Sequence, residues 1–444
     1  MQNLIILLKL LDNFRSLAYQ FCAILVFKTL QPFNPSNPLN MKKHKILNDP
    51  VYGFVQVPYG IIFDLLEHPY FQRLRRIKQL SLTHYVYPGA LHTRFHHALG
   101  ALHLMMQSIA VLKTKGVEIS DEEAEAVNIA ILLHDIGHGP FSHTLEHTLI
   151  KVHHEELSIL FMEKLNEEFD GQLNMAIQIF KGEYSKGFLT QLVSSQLDMD
   201  RMDYLNRDSY FTGVSEGVIG YDRLIKMLAV HDGELVVEEK GIYSIERFLT
   251  ARRLMYWQVY LHKTVLSAEI MLVQIMKRAK DLMEIGEELP ATSPLRYFLK
   301  NRNLDKKDFK NRPNELLNAF ARLDDTDIAA SVKEWADHSD PILAYLANGL
   351  ANRKLFRLEF STQAFTEEYK QGIIEKLKQL SNLPQKDINY FIVEGKEANT
   401  AYSASKDEIR ILLKKGNVCP MSEMSDSAIQ PKIFIKYYLW YPKV

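Results

Sequence analysis

The chain has 444 residues, 47% of them apolar and 24% charged, with a formal net charge of −1. That length supports one large core with a smaller appended region, and the near-neutral balance argues against a dedicated polyanion binder while leaving room for a local basic pocket. Its two cysteines, Cys22 and Cys419, are too far apart in sequence for a disulfide framework or a zinc-ribbon spacing, which points to a reducing, cytoplasmic setting.

At the N-terminus, apolar Leu4–Leu8 and Ala23–Phe27 are separated by Lys9, Asp12, Asn13 and Arg15. No run of about 18 apolar residues exists, so no membrane span is expected. A secretory signal is not expected either, since the positive leading segment and a small-residue cleavage site are missing. Prolines at 32, 35 and 38 then form a breaker-rich link, and Met41-Lys42-Lys43-His44-Lys45 reads like a fresh start. Residues 1–40 are expected to be a poorly ordered extension or a start-site artefact, with an amphipathic membrane-surface helix as the lesser option.

Asn48 to Gly53 is turn-rich, and Phe54–Val57 reads as a short strand. From Ile61 the apolar spacing of three and four predicts helix. Arg73 to Leu80 is basic, and a solvated helix face is its plain reading, with Gln79 and Leu80 opening a loop. His92-Thr93-Arg94-Phe95-His96-His97 leads into a helix of about twenty residues whose inward stripe carries His97. Arg94, one turn earlier, adds a phosphate-sized cation. Ser120-Asp121-Glu122-Glu123 is a capping box. The helix it opens carries Val127, Ala130 and Ile131 up to Ile131-Leu132-Leu133-His134-Asp135-Ile136-Gly137-His138-Gly139-Pro140-Phe141-Ser142-His143, where two glycines and a proline stop it. Another helix is expected from His153-His154. Leu189–Tyr204 reads as one helix whose apolar stripe runs into Asp200; a buried carboxylate is costly unless paired or metal-bound. Arg201, Tyr204 and Asp208 share a neighbouring face. Phe248–Leu272 reads as one long amphipathic helix containing Arg252, Tyr260 and Lys263. Beyond about 275 come charged, proline-broken helices, then alternation at Ile388–Val393 and Ile433–Trp440 that predicts strands.

Three separated segments therefore offer ligands at helices: His97, His134 with Asp135, and Asp200. Two imidazoles and two carboxylates neutralise a divalent ion and leave room for water and a phosphate oxygen; the mixture suits Mn, Mg, Fe, Zn or Co without choosing. Spacing alone also allows His134 with His138 as an i,i+4 metal pair, although Gly137 and Gly139 interrupt the helix between and after them. Arg94, Arg201, Arg252 and Lys263 could hold further phosphate charge, and His138, His143 and His154 are candidates to protonate a leaving oxygen. Read from its residues, the chain is a metal-dependent phosphohydrolase.

The H…HD…D series resembles the HD-domain superfamily. From Lys45 to about Lys263 it looks more narrowly like the deoxynucleoside triphosphate triphosphohydrolases, both dGTPase-like and SAM-and-HD-domain. The likeness rests on Asn48-Asp49-Pro50, Phe71-Gln72-Arg73-Leu74-Arg75, Ile77-Lys78-Gln79-Leu80, Pro88-Gly89-Ala90, Thr93-Arg94-Phe95, the His134–His143 stretch and Asp198-Met199-Asp200-Arg201-Met202-Asp203-Tyr204. It implies metal ligation by His97, His134, Asp135 and Asp200, and makes His138 a substrate or acid residue. Water activated at the metal would attack the α-phosphorus and release a deoxynucleoside and intact triphosphate, with dGTP preferred or activating. Arg94, His138, His143, Arg201, Tyr204 and Arg252 match phosphate-side positions, with His154 nearby. Gln79, Leu80, Asp208 and Tyr260 match a wall against the deoxyribose. Lys45, Glu67, Gln72 and Arg75 match part of a nucleotide-activator site at a subunit interface. Two positions depart from the family pattern: Arg201 stands for a lysine and Glu146 for an aspartate.

The expected architecture is mostly α: an HD helical core at 41–275, then a smaller helical and α+β region at 276–444. A homodimer or homotetramer is expected, acting on deoxynucleoside triphosphates, with neither membrane nor nucleic acid as partner. The rivals are another HD phosphohydrolase, acting on nucleoside monophosphates or cyclic nucleotides, and a nucleotide-binding regulator with little turnover.

Overall fold

The computed structural model describes residues 44–381, 385–399, 408–424 and 434–443; the segment 1–40 lies outside them. The described chain opens with an antiparallel hairpin, β1 (His44–Asp49) and β2 (Gly53–Pro58), paired from His44↔Pro58 to Asp49↔Gly53. Val55 and Val57 point into the core, whereas Ile46 and Phe54 face out. Helix α1 (Ile61–Glu67) follows, and a tight turn at Arg73–Arg76 opens the expected basic segment. That segment is not a solvated face throughout. Arg73 is fully buried and donates to the Ile136 carbonyl at 2.6 Å, while Arg75 and Arg76 are exposed.

Five helices build the frame of the site. Helix α2 (Arg94–Thr114) starts from Thr93, and α3 (Asp121–Leu133) starts from the Ser120 capping box, Ser120 Oγ accepting from the Glu123 N–H at 3.1 Å. Helix α4 (His154–Glu168) begins where the paired histidines predict. The stretch expected as one helix over Leu189–Tyr204 is two, α5 (Gly187–Val193) and α6 (Met199–Thr212). Asp198 causes the break: its carboxylate accepts the N–H groups of Arg201 at 2.7 Å and Ser195 at 2.8 Å, capping a new helix.

Further on, α7 (Ile242–Met255) and α8 (Lys263–Glu284) replace the single helix expected over Phe248–Leu272. A π-helical turn at Tyr256–Tyr260 separates them, with a 55° bend. Such turns re-aim side chains, and this one brings the Tyr260 hydroxyl to Asp208. The expected boundary at 275 falls inside α8, and the described residues from His44 onward pack as one unit. Two small sheets complete it. One pairs β3 (Leu228–His231), β4 (Glu234–Glu238), β7 (Arg410–Leu412) and β8 (Val418–Pro420); the other has order β5-β9-β6, from β5 (Arg357–Ser361), β6 (Val393–Asn399) and β9 (Phe434–Tyr441). Only the end of the alternating run 388–393 is strand, since Gln385–Ile388 is a helical turn. The mostly helical HD-type core with C-terminal strands is as the sequence implies.

Candidate metal centre and phosphate pocket

Helices α2, α3 and α6 bring His97, His134, Asp135 and Asp200 together. His97 Nε2 lies 3.2 Å from His134 Nε2, 3.1 Å from Asp200 Oδ1 and 3.7 Å from Asp135 Oδ2. His134 Nε2 is 3.5 Å from both Asp200 Oδ1 and Asp135 Oδ1. The other nitrogen of each ring is committed outward. His97 Nδ1 donates to Asp203 Oδ2 at 2.7 Å and His134 Nδ1 to the Ile131 carbonyl at 2.6 Å. With both Nδ1 protons used there, the Nε2 lone pairs converge beside two carboxylates, the arrangement a metal-binding histidine requires. Burial works against charge on His97, but Asp200 and Asp203 hold its imidazole up to about 10, so without an ion a proton takes the position. The donor set fits a divalent ion. Access is from the Asp200 side, where that side chain is 29% exposed against 0% for His97.

Arg94 braces this cluster from below: Nη1 hydrogen-bonds Asp135 Oδ2, and Nε donates to Ser142 Oγ at 2.7 Å. Phe141 and Ser142 both adopt left-handed backbone (φ 51° and 47°), a conformation costing non-glycine residues about 1–2 kcal/mol each. The turn is held because Asp325 accepts the Phe141 N–H at 2.8 Å.

His138 is not a partner of His134 in the ion pocket. Its Nε2 turns to Asp135 Oδ1 at 3.3 Å, and burial together with Arg94 pushes its imidazole well below the usual range, leaving it neutral. Its ring stacks on His154 with centroids 3.9 Å apart and planes 15° from parallel, and His143 sits edge-on to both. Glu146 ties this group together. Its Oε1 lies 2.6 Å from His154 Nδ1 and accepts the His154 N–H at 2.7 Å, and its Oε2 lies 3.4 Å from His143 Nδ1. Although burial opposes it, contact with these histidines holds the carboxyl well below its ordinary value.

The residues expected to wall the sugar lie near one another, and Asp208 among them is differently engaged. Asp208 is buried and already satisfied, paired with His92 Nε2 at 2.7 Å and accepting from the Tyr260 hydroxyl at 2.8 Å; it positions Tyr260 and is not a free acceptor. Tyr204 meets Tyr260 edge-on. Gln79 abuts the Arg94 segment, its N–H donating to the His92 carbonyl at 3.0 Å, and its buried Oε1 has no protein partner. Leu80 is half-buried beside it. Arg201 donates to the Ser195 carbonyl at 2.5 Å, and Arg252 Nη1 to Gln196 Oε1 at 3.1 Å while its Nε stays unpartnered. Both arginines are thus held on the Ser194–Asp198 break. Lys263 is exposed at the start of α8 and makes no contact with this group.

Of the four surface residues, Gln72 and Arg75 are joined at 2.8 Å, and Gln72 also donates to the Leu66 carbonyl beside exposed Glu67. Lys45 is exposed on β1. Sequence reasoning missed Asp203, Ser158, Glu146's organising part and the Asp49–Arg207 pair. Asp203 and Arg207 do carry a signal, the i,i+4 spacing of opposite charges on a helix; Asp49 carries none.

Residues 94–208 match the HD domain family and 219–289 the HD associated region. The uncharacterized protein YwfO of Bacillus subtilis is 31% identical over 420 residues, 91% of this chain and 93% of that protein. The deoxynucleoside triphosphate triphosphohydrolase SAMHD1 homolog of Dictyostelium discoideum is 32% identical over 276 residues, 58% of this chain and 53% of that protein. A crystal structure of a phosphohydrolase from Bacteroides thetaiotaomicron is 50% identical, with a TM-score of 0.87 over 90% of this chain and 100% of that one.

Proposed function

Because this chain belongs to the HD-domain phosphohydrolase family, we propose that it is a cytoplasmic triphosphohydrolase converting a deoxynucleoside triphosphate and water into a deoxynucleoside and intact triphosphate. The observation that carries this reading is the adjacency of three groups of side chains. His97, His134 and Asp200 converge with Asp135 beside them, Asp135 joins them to His138 of the group organised by Glu146, and Arg201 and Tyr204 follow Asp200 on α6, with Tyr204 edge-on to the Tyr260 that Asp208 holds. So many cationic and donor groups suit a chain of three phosphates better than one.

A divalent ion held by His97, His134, Asp135 and Asp200 would supply Lewis acidity and a lowered water pKa. The chain's own residues do the rest. Arg94 holds Asp135 in place, Arg201 and Arg252 take phosphate charge, and Tyr204 and Tyr260 pack on the sugar. His138, being neutral, donates a hydrogen bond without carrying charge, and the proton for the leaving oxygen comes through His143 and His154 on Glu146. The surface group of Gln72, Arg75 and Glu67 with Lys45 is the place for an activating nucleotide between subunits.

The test is product chromatography with each deoxynucleoside triphosphate, singly and mixed, in Mn²⁺ or Mg²⁺. Deoxynucleoside with intact triphosphate is the expected result. Orthophosphate or pyrophosphate, or turnover of monophosphates alone, would place the enzyme in another branch, and no turnover at all would leave a binding protein.

A further inference from the structure

We propose that Asp49, in the turn of the N-terminal hairpin, is a positioning residue that sets how strongly His97 holds the metal. The inference rests on the ion pocket above and reaches from it to the surface hairpin through one buried polar chain. His97 Nδ1 lies 2.7 Å from Asp203 Oδ2. Asp203 takes Arg207 in a fork, Nε to Oδ2 and Nη2 to Oδ1 both at 3.0 Å. On its other edge Arg207 meets Asp49, Nη1 to Oδ2 at 2.7 Å and Nη2 to Oδ1 at 3.4 Å. None of these four side chains is more than 2% exposed. The Tyr52 ring covers the guanidinium at 5.4 Å, and Gly100 makes room, since a Cβ there would lie 1.9 Å from Asp203 Oδ1 and 2.2 Å from Arg207 Nη2.

The charges give the direction of the effect. One guanidinium is shared by two carboxylates, so Asp49 competes with Asp203 for it. While Asp49 is charged, Arg207 neutralises Asp203 only in part, and Asp203 keeps enough negative charge to strengthen His97 as a donor through Nδ1. Neutralising Asp49 gives Arg207 wholly to Asp203, weakens that support and removes one negative charge from the neighbourhood of a cation. Both consequences loosen the ion. A merely structural ion pair predicts lost stability with no change in metal affinity.

Asparagine is the informative replacement because the two jobs of Asp49 separate. Its Oδ1 accepts the N–H groups of Val51 and Tyr52 at 2.9 and 3.0 Å to shape the turn, which asparagine does equally well, whereas the oxygen that accepts Arg207 Nη1 becomes an NH2 group and the negative charge facing Arg207 is lost. In the full-length protein, Mn²⁺ titration and the visible spectrum of the Co²⁺ form would be read for Asp49→Asn, Asp49→Glu, Asp203→Asn and His97→Ala. The expected pattern is affinity about tenfold weaker in Asp49→Asn, in the range outer-shell partners usually show, with an altered Co²⁺ spectrum, and affinity nearer wild type in Asp49→Glu, which keeps the charge. Asp49→Asn at wild-type affinity with Asp203→Asn weakened overturns the proposal and leaves Asp49 as a hairpin anchor. Retention in Asp49→Asn with loss in Asp49→Glu overturns it too, by assigning the effect to the turn. Unchanged binding in His97→Ala removes the ion pocket itself, and this inference with it.

Discussion

Replacing Gly137 by alanine tests how tightly the ligand-bearing turn is built. A Cβ at this position would lie 2.2 Å from the His154 carbonyl oxygen, 2.4 Å from the Ser158 nitrogen and 2.8 Å from Ser158 Oγ. Ordinary contacts start near 3.4 Å, so α4 and the turn must part by about 1 Å. Two of the three obstacles are backbone and cannot swing aside. The third is the hydroxyl that accepts the Gly137 N–H at 3.0 Å and donates to the His134 carbonyl at 2.7 Å. Overpacking of this kind costs about 1–3 kcal/mol, and orphaning a buried N–H about as much again, so a loss of about 2–5 kcal/mol is expected. The displaced residues are His134 and Asp135 on one side and His154 on the other, and a shift of about 1 Å in reacting groups can cost about 10²-fold in rate. Thermal unfolding, Mn²⁺ titration and turnover would be measured on the purified variant. Wild-type melting temperature and turnover would refute the claim that Ser158 clamps the turn against α4.

Metal affinity should rise with pH. Since the carboxylates around His97 hold its imidazole up to about 10, the ion-free pocket carries a proton at neutral pH that an incoming cation must displace. Mn²⁺ affinity should climb about tenfold per unit between pH 6 and 8 with one proton released per ion; calorimetry in buffers of different ionisation enthalpy would show it, and flat affinity would contradict it. Asp200→Ala should lose both bound metal and turnover, and full activity in that variant would dismantle the site. Glu146→Gln should lower kcat by about 10²-fold through misplaced histidines while KM and metal content stay near wild type; an equal rise in KM would make Glu146 a binding residue.

Much of this centre is legible in the chain because its ligands lie at helix starts and stops, which capping residues and glycines announce. His134 follows a helix that Ser120 begins and Gly137 ends, and His97 sits on an evident stripe. Asp200 is legible for a different reason than periodicity supplies. It does not continue the stripe of Leu189 and Leu192, because Asp198 caps a fresh helix and sets Asp200 in its first turn. The π-turn at Tyr256–Tyr260 was hidden in the same way, since its residues keep an amphipathic pattern across the break. Arg73 reads as surface because its neighbours are charged; only tertiary packing against the Ile136 carbonyl reveals otherwise. Roles that depend on distant partners, such as Asp208 with His92 or Asp49 with Arg207, have no local spacing to betray them.

The stacking of His138 on His154 limits which imidazoles can share a cation. An imidazole binds a cation in the plane of its ring, along the nitrogen lone pair. Two rings 3.9 Å apart and 15° from parallel hold their lone pairs in separate, nearly parallel sheets, so no single ion can lie in both. His138 and His154 therefore cannot both ligate one ion, although their nitrogens lie close together.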